Sequence, residues 1–371
     1  MIKHNMNLRN NIVVILLLFF VSANAQIDTL QIRNFVNNYS EKSNNTAILV
    51  HVEKDGVSFS YAAGFANKED KIKANTSNMF EIGSASKMFT AIAILQLIEK
   101  GKLTLDTPIS KFYKSGNIIK LANINGDNNF DKVTVEMLLH HTSGFIDYLN
   151  VYGDDEKSLK IFSVKGKIYS FNEIIDLAVN HGDANFVPGN KFKYCNTGYI
   201  ILGDIITKVS GDNWRDYIQT NIFDKCNMDE TYFGSLEKKK NSPYLMQGYF
   251  NSKTSFMPPT LAGSAGEVIS SLKDLTKFVK AWQGGKLFSA KTLELQRTQG
   301  LLKMYEQLDS LSYGYGLMNL KGFYGHGGQT FSFQSYVAIN PKTNTIYIIG
   351  TNDASVGSMP VFMGLEGITF Q

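Results

Sequence analysis

Cysteine is scarce: Cys195 and Cys226 are the only two in 371 residues. That excludes a fold stapled by a disulfide framework, which a chain of this size does not need. Cys226 lies in "NIFDKCNMDETYF", where a small buried hydrophobe would serve equally well, so two free thiols are expected. Excess charge is also missing. The formal charge is +4, and it falls to +2 when Lys3 and Arg9 are set aside with the leader described below. That near-balance gives no reason to expect a nucleic-acid partner. The cluster "EKKK" at Glu237 to Lys240 reads as a solvated loop. Internal repeats and low-complexity tracts are absent. No set of His, Asp and Glu completes a metal site, because the adjacent His140 and His141 would point about 100° apart on a helix. No metal or other cofactor is expected.

Long apolar runs are missing everywhere except at the start. Ile12 to Val21 reads "IVVILLLFFV", preceded by Lys3 and Arg9 and followed by "SANA". The run is about half of the roughly 20 residues that a spanning helix needs. It has the layout of a secretory signal peptide, residues 1–25, cut between Ala25 and Gln26. No cysteine follows the cut, so no lipid anchor is expected. The mature chain, residues 26–371, is expected to be exported, periplasmic or secreted, without a stable membrane anchor, and monomeric.

Composition is that of a globular protein, with 43% hydrophobic and 19% charged residues, enough for a large core. Residues 46–65 read as strand with a turn at Lys54-Asp55-Gly56. From about 104 to 250 the pattern is helix and loop. "VTVEMLLHHTSGF" reads as a helix ended at Gly144, "FNEIIDLAVNHG" as one closed by Gly182, and "YIILGDIITKVSG" as one closed by Gly211. The polar stretches Asn123 to Lys132 and Gly153 to Lys167 read as surface loops. "SLKDLTKFVKAWQGG" is an amphipathic helix. "YGYGLMNL", "FSFQSYVAINP" and "NTIYIIGTND" read as strands joined by tight turns. The fold class is therefore α/β of the α+β type. An antiparallel β-sheet made from both ends of the chain is flanked by helices, with a mostly helical subdomain inserted at about 104–250.

The chemistry begins in "MFEIGSASKMFTAIAILQLIEKGKL", Met79 to Leu103. Met88 to Ile98 is apolar on nearly every side, so this helix is buried. Ser84 and Lys87 are three residues apart and share a face of its first turn. Burial disfavours the ammonium form of Lys87, lowers its pKa and makes it a candidate base for the Ser84 hydroxyl. The other reading is a helix cap at Ser84 with Lys87 snorkelling to water. Two further segments bear on the choice. Tyr194-Cys195-Asn196 stands directly before a buried helix. His326-Gly327-Gly328 stands at the head of a strand, where glycines permit close approach of a ligand.

Ser84-x-x-Lys87, Tyr194-x-Asn196 and His326-Gly327-Gly328, in that order, resemble the serine β-lactamase and penicillin-binding family, and in particular its class C β-lactamase and DD-peptidase/esterase branch. "LLHHTSGF" at 138–145 and "AGEVISSLKDLTKF" at 265–278 are similar to that branch too, and the resemblance runs from about residue 30 to 353. It implies a β-lactamase/transpeptidase-like fold and an acyl-enzyme mechanism. Ser84 would be the acylated nucleophile, with Lys87 and Tyr194 moving its proton. Asn196 would orient the substrate and hold Lys87. The backbone N–H groups of Ser84 and Gln329 would form an oxyanion hole. His141 would tie the loop after its helix. His326, where class C enzymes carry lysine, would face a substrate carboxylate; that favours peptidase or esterase activity over β-lactam hydrolysis. The closing helix is expected to be abbreviated.

Three functions follow from these residues. The first is an exported serine hydrolase acting on D-amino-acid peptides, esters or β-lactams. The second is a penicillin-binding or sensor module that acylates with little turnover. The third is zinc hydrolysis through His140 and His141, which the helix geometry disfavours.

Overall fold

A computed structural model describes residues 27–236, 244–298, 301–304 and 310–369. The leader at 1–25 and the "EKKK" cluster lie outside the described residues.

Local turn chemistry starts the sheet. Asp55 and Gly56 take φ +49° and +83°, the left-handed values that a two-residue hairpin turn matching strand twist requires. Strands Ile48–Lys54 and Val57–Ala63 pair across it, Lys54 opposite Val57. The remaining strands come from the far end of the chain. Among the described residues the sheet has eight strands, in spatial order Leu302–Lys303, Leu311–Tyr313, Met318–Leu320, Phe323–Gln329, Gln334–Asn340, Thr345–Thr351, Ile48–Lys54 and Val57–Ala63. All neighbours are antiparallel, and Ile48 lies opposite Thr351. The β-strand alternation of side chains splits the apolar residues between two faces. Ile48, Val50, Val52, Tyr347 and Ile349 meet Ile32 and Val36 of helix Thr29–Lys42 and Val361, Phe362 and Leu365 of helix Ser358–Thr369. That closing helix has 12 residues, a full three turns. Leu49, Val337, Ile339, Ile346 and Ile348 face the other way, into the main core.

That core is continuous with the helical region. It joins Leu138, Leu139, Ile201 and Leu202 to Phe89, Phe278 and Trp282. Its axis is helix Lys87–Glu99, in which every residue from Lys87 to Leu97 is buried. Helix Asn196–Ser210 packs beside it and is stopped by Gly211 at φ +87°, as the sequence implies. Helix Leu272–Gln283 ends at Gly284. Other boundaries differ from the sequence reading. The helix beginning at Val135 ends at Leu139, not at Gly144, because His141 already takes φ +61°. Helix Phe171–Val179 is capped at Asn180, two residues before Gly182. The stretch Gly153 to Lys167 holds a helix, Asp155–Phe162, capped by the Asp154 side chain accepting from the Lys157 N–H. Asn123 to Lys132 contains a small hairpin, Asn123–Ile124 with Asp127–Asn128. Both cysteines are buried and unbridged. Among the described residues no helix is long and apolar enough to cross a membrane.

Candidate active site

Ser84 lies in a 3₁₀ turn, Gly83–Ser86, between strand Met79–Glu81 and the buried helix. The helix takes Ser86 as its N-cap, so Ser84 is not the cap. Gly83 makes this turn possible. Its φ is +51°, and a Cβ there would sit 2.6 Å from the Gln329 nitrogen. Gly328 plays the matching part from the other side: a Cβ there would sit 1.8 Å from the Ile82 carbonyl oxygen. Ser335 Oγ also donates to that carbonyl, at 2.7 Å. The Ser84 turn and the end of strand Phe323–Gln329 are thus packed backbone against backbone, and Gln329 is held beside Ser84.

Lys87 is fully buried, and its Nζ has three partners. They are Ser84 Oγ at 3.0 Å, Asn196 Oδ1 at 2.7 Å and Ala265 O at 2.9 Å. As an ammonium it donates to all three. As a neutral amine it has two N–H groups for the carbonyl oxygens and a lone pair for the Ser84 hydroxyl. Burial brings its pKa down to about 7, against the opposing pull of Asp147. The Tyr194 and Tyr199 rings lie 5.0 and 5.5 Å from Nζ and partly offset the loss of water around the ammonium form. The Tyr194 hydroxyl is buried and makes no hydrogen bond of ordinary geometry. Burial holds its pKa well above the usual value, and the neighbouring Ser84 side chain opposes that shift.

Ser84, Leu149, Asn150, Tyr194, Asn196, Met257, Gln329, Thr330 and Phe331 line an open cleft of ≈ 220 Å³. The sequence motifs therefore meet: Ser84, Tyr194, Asn196 and Gln329 open onto one space, with Lys87 behind them. His326 does not. It is 2% exposed, its Nε2 is 3.0 Å from the Tyr313 hydroxyl, and its Nδ1 faces the Gly327 carbonyl. Nδ1 can meet a carbonyl only as a donor, and in the neutral ring this leaves Nε2 to accept from the Tyr313 hydroxyl. Burial, with Lys87 adding to it, brings the His326 pKa down to about 3. The expectation of an imidazolium facing a substrate carboxylate gives way to a buried neutral ring. The strand assignment also shifts: His326-Gly327-Gly328 lie in the second half of strand Phe323–Gln329, not at its head. The close approach at Gly328 is by the protein's own Ile82, not by a ligand.

His141 is buried as well. Its Nδ1 accepts from the Cys195 N–H at 3.1 Å, and its carbonyl accepts from the Lys193 N–H at 2.9 Å. Its ring lies 4.2 Å from that of Tyr194. It ties the loop after its helix to the Tyr194 segment. His140 instead stacks on Tyr315 at 4.3 Å. Among the described residues no group of three or more His, Cys, Asp or Glu could hold a metal ion. Sequence reasoning missed Asp147, Ala265 and Tyr313. Asp147 lies just beyond the quoted "LLHHTSGF", and the Ala265 contribution is a carbonyl that any residue could supply.

The sequence matches the family model described as Beta-lactamase over residues 32–360. This chain belongs to the β-lactamase family. A penicillin-binding protein of Bacillus subtilis (strain 168) is 28% identical over 293 residues, covering 74% of this chain and 60% of that protein. Among solved structures, a D-stereospecific amidohydrolase from Streptomyces sp. superposes with a TM-score of 0.79 at 22% identity, covering 90% of this chain and 97% of the other. An octameric penicillin-binding protein homologue from Pyrococcus abyssi gives 0.77 at 27% identity, with 92% and 77% covered. The antiparallel sheet flanked by helices is the fold of these relatives, and family membership makes the chain a serine hydrolase.

Proposed function

We propose that this serine hydrolase is exported and works through an acyl-enzyme on Ser84, taking amides of D-amino acids or esters in preference to β-lactams. The observation that carries the reading is the contact of Ser84 Oγ with the buried Lys87 amine. A serine hydroxyl needs a base to become a nucleophile, and a lysine with a pKa near neutrality is available as one. In the acylation step Lys87 accepts the Ser84 proton while Oγ bonds to the substrate carbonyl carbon. The negative charge moves to the carbonyl oxygen, where the N–H groups of Ser84 and Gln329 receive it. Tyr194, with its hydroxyl beside Ser84, gives its phenolic proton to the leaving nitrogen or oxygen as the carbonyl re-forms, and the Lys87 ammonium passes the Ser84 proton on to Tyr194, which restores both groups. Water then repeats the sequence and frees Ser84.

The substrate preference follows from the cleft. Among the described residues its lining carries no lysine or arginine side chain, and His326 is buried, with its pKa brought down to about 3. A substrate carboxylate finds no fixed cation among these side chains, so acyl donors without a carboxylate are favoured. The relative that is a D-stereospecific amidohydrolase supports the amide side of the reading.

Intact-protein mass spectrometry after exposure to a fluorescent penicillin, to nitrophenyl acetate and to D-phenylalanine amide tests this, with turnover measured in parallel. An adduct on Ser84 and turnover of ester or amide are expected. An adduct with no turnover would move the reading to an acylating sensor. Activity that survives Ser84→Ala would end it.

A further inference from the structure

We propose that Asp147 is a positioning residue of this site: through Asn196 it fixes the direction of the Lys87 lone pair. The inference rests on the reading of Ser84 and Lys87 given above.

The geometry is a chain of three side chains. Asp147 is 7% exposed. Its Oδ2 accepts from Asn196 Nδ2 at 2.9 Å and from Asn150 Nδ2 at 3.2 Å, and its Oδ1 accepts from the Leu149 N–H at 3.1 Å. Asn196 Oδ1 in turn faces Lys87 Nζ at 2.7 Å. A carboxylate only accepts, so it fixes the amide with Nδ2 towards Asp147 and Oδ1 towards Lys87. With both Oδ1 and the Ala265 carbonyl taking N–H groups, the neutral amine has only its lone pair left, and that points to Ser84. A flipped amide would present N–H to the same lone pair and compete with the Ser84 proton. Asp147 thus decides whether the base is aimed at its target.

Asp147 also supplies charge. The other titratable groups around Lys87 are Tyr194, Tyr199, Cys195, His141 and His326. Burial keeps each of them uncharged near neutral pH, raising the tyrosine and thiol values and lowering those of the histidines. Tyr148, next to Asp147, is held neutral in the same way. Asp147 is the carboxylate that acts on Lys87, and it favours the ammonium form. Its own pKa is raised by burial, so the two groups titrate as a linked pair.

The test is Asp147→Asn, which keeps the volume and removes both the charge and the acceptor-only character. Melting and circular dichroism establish that it folds. kcat/KM for nitrophenyl acetate is then measured from pH 5 to 9, with the Ser84 adduct followed by mass spectrometry in the same samples. A fall of about 10²-fold in kcat/KM is expected from the misaimed base. The acid limb should move down by about one pH unit, because the charge that favoured the ammonium is gone. Asp147→Glu, which keeps the charge, should return the limb towards the wild-type position. A purely structural role would lower activity without moving the limb. If Asp147→Asn folds and forms the adduct but its limb coincides with that of the wild type, the Asp147 assignment is overturned while the Ser84 reading stands. If the wild type forms no adduct and its turnover survives Ser84→Ala, both fail. If Asp147→Asn does not fold, Asn150→Ala gives the reading. It removes one donor from the carboxylate, makes the charge harder to hold and should move the limb down by a smaller step; no movement there overturns the assignment.

Discussion

Gly83→Ala tests how far catalysis depends on the backbone lock beneath Ser84. Two costs follow from the structure. The φ of +51° lies in the left-handed region, where adding a Cβ costs roughly 1–2 kcal/mol. The new carbon would also stand 2.6, 2.7 and 2.8 Å from the N, O and C of Gln329. Good carbon contacts begin near 3.5 Å, so the strand and the turn must separate by roughly 0.7–0.9 Å. These are backbone atoms in a paired strand and cannot swing away as a side chain would. The separation opens the space between Ser84 and Gln329, where the carbonyl oxygen of a substrate is proposed to sit. A displacement of about 1 Å in a catalytic group can cost about 10²-fold in rate. The expected result is a folded protein with kcat for nitrophenyl acetate down by about 10²-fold, KM changed much less, and slower labelling of Ser84. Stopped-flow acylation and a thermal melt provide both readouts. A folded Gly83→Ala protein whose kcat stays within threefold of the wild type would refute the reasoning, since the backbone lock would then have no catalytic consequence.

What the sequence disclosed was local. The Asp55-Gly56 turn, the Gly211 stop and the Ser84–Lys87 spacing each depend on residues within a turn of one another, and each is in place. Helix Asp155–Phe162 was hidden because its polar composition reads as loop, and its cap, Asp154, is one of many aspartates. The larger gaps come from pairing at long range. Ala47 N–H donates to Asn352 Oδ1 at 2.8 Å across more than 300 residues, and no local pattern announces such a contact. The His326 assignment shows the consequence. A histidine beside two glycines reads as an exposed ligand group. Its burial is set by Tyr313 and by the packing of Gly328 on Ile82, neither of which is visible from the motif. Asp147 is the same case with the sign reversed: an ordinary loop aspartate becomes significant only when helix Asn196–Ser210 brings Asn196 beside it.

Three further predictions test the site and its electrostatics. Ser84→Ala should abolish hydrolysis and covalent labelling with the melt unchanged, because it removes the attacking oxygen and little buried volume; residual activity above a few per cent would reassign the nucleophile. Lys87→Ala and Tyr194→Phe should each slow acylation by about 10²- to 10⁴-fold in single-turnover kinetics, as loss of a proton-transfer group does; a Tyr194→Phe protein near the wild-type rate would confine the relay to Lys87. The last concerns stability and His326. Its folded pKa is depressed to about 3, against about 6.5 in the unfolded chain. A depressed histidine is neutral in both states above pH 6.5 and contributes nothing there. As pH falls below 6.5 the unfolded chain takes up a proton that the native ring cannot, and stability is lost down to about pH 3. By pH 5, about 1.5 units below the unfolded value, the loss amounts to roughly 2 kcal/mol. Glu81, raised to about 7 by burial, works in the opposite sense, since the native state binds its proton first. The total slope therefore mixes both signs, and the informative quantity is a difference between two proteins. His326→Gln removes the titrating ring from both states. Urea unfolding at pH 7.5 and at pH 5 should show the wild type losing about 2 kcal/mol more than the variant over that interval. Equal losses in the two proteins would mean that the His326 ring can take its proton in the native state, and the buried neutral ring between Tyr313 and Gly327 would have to be abandoned.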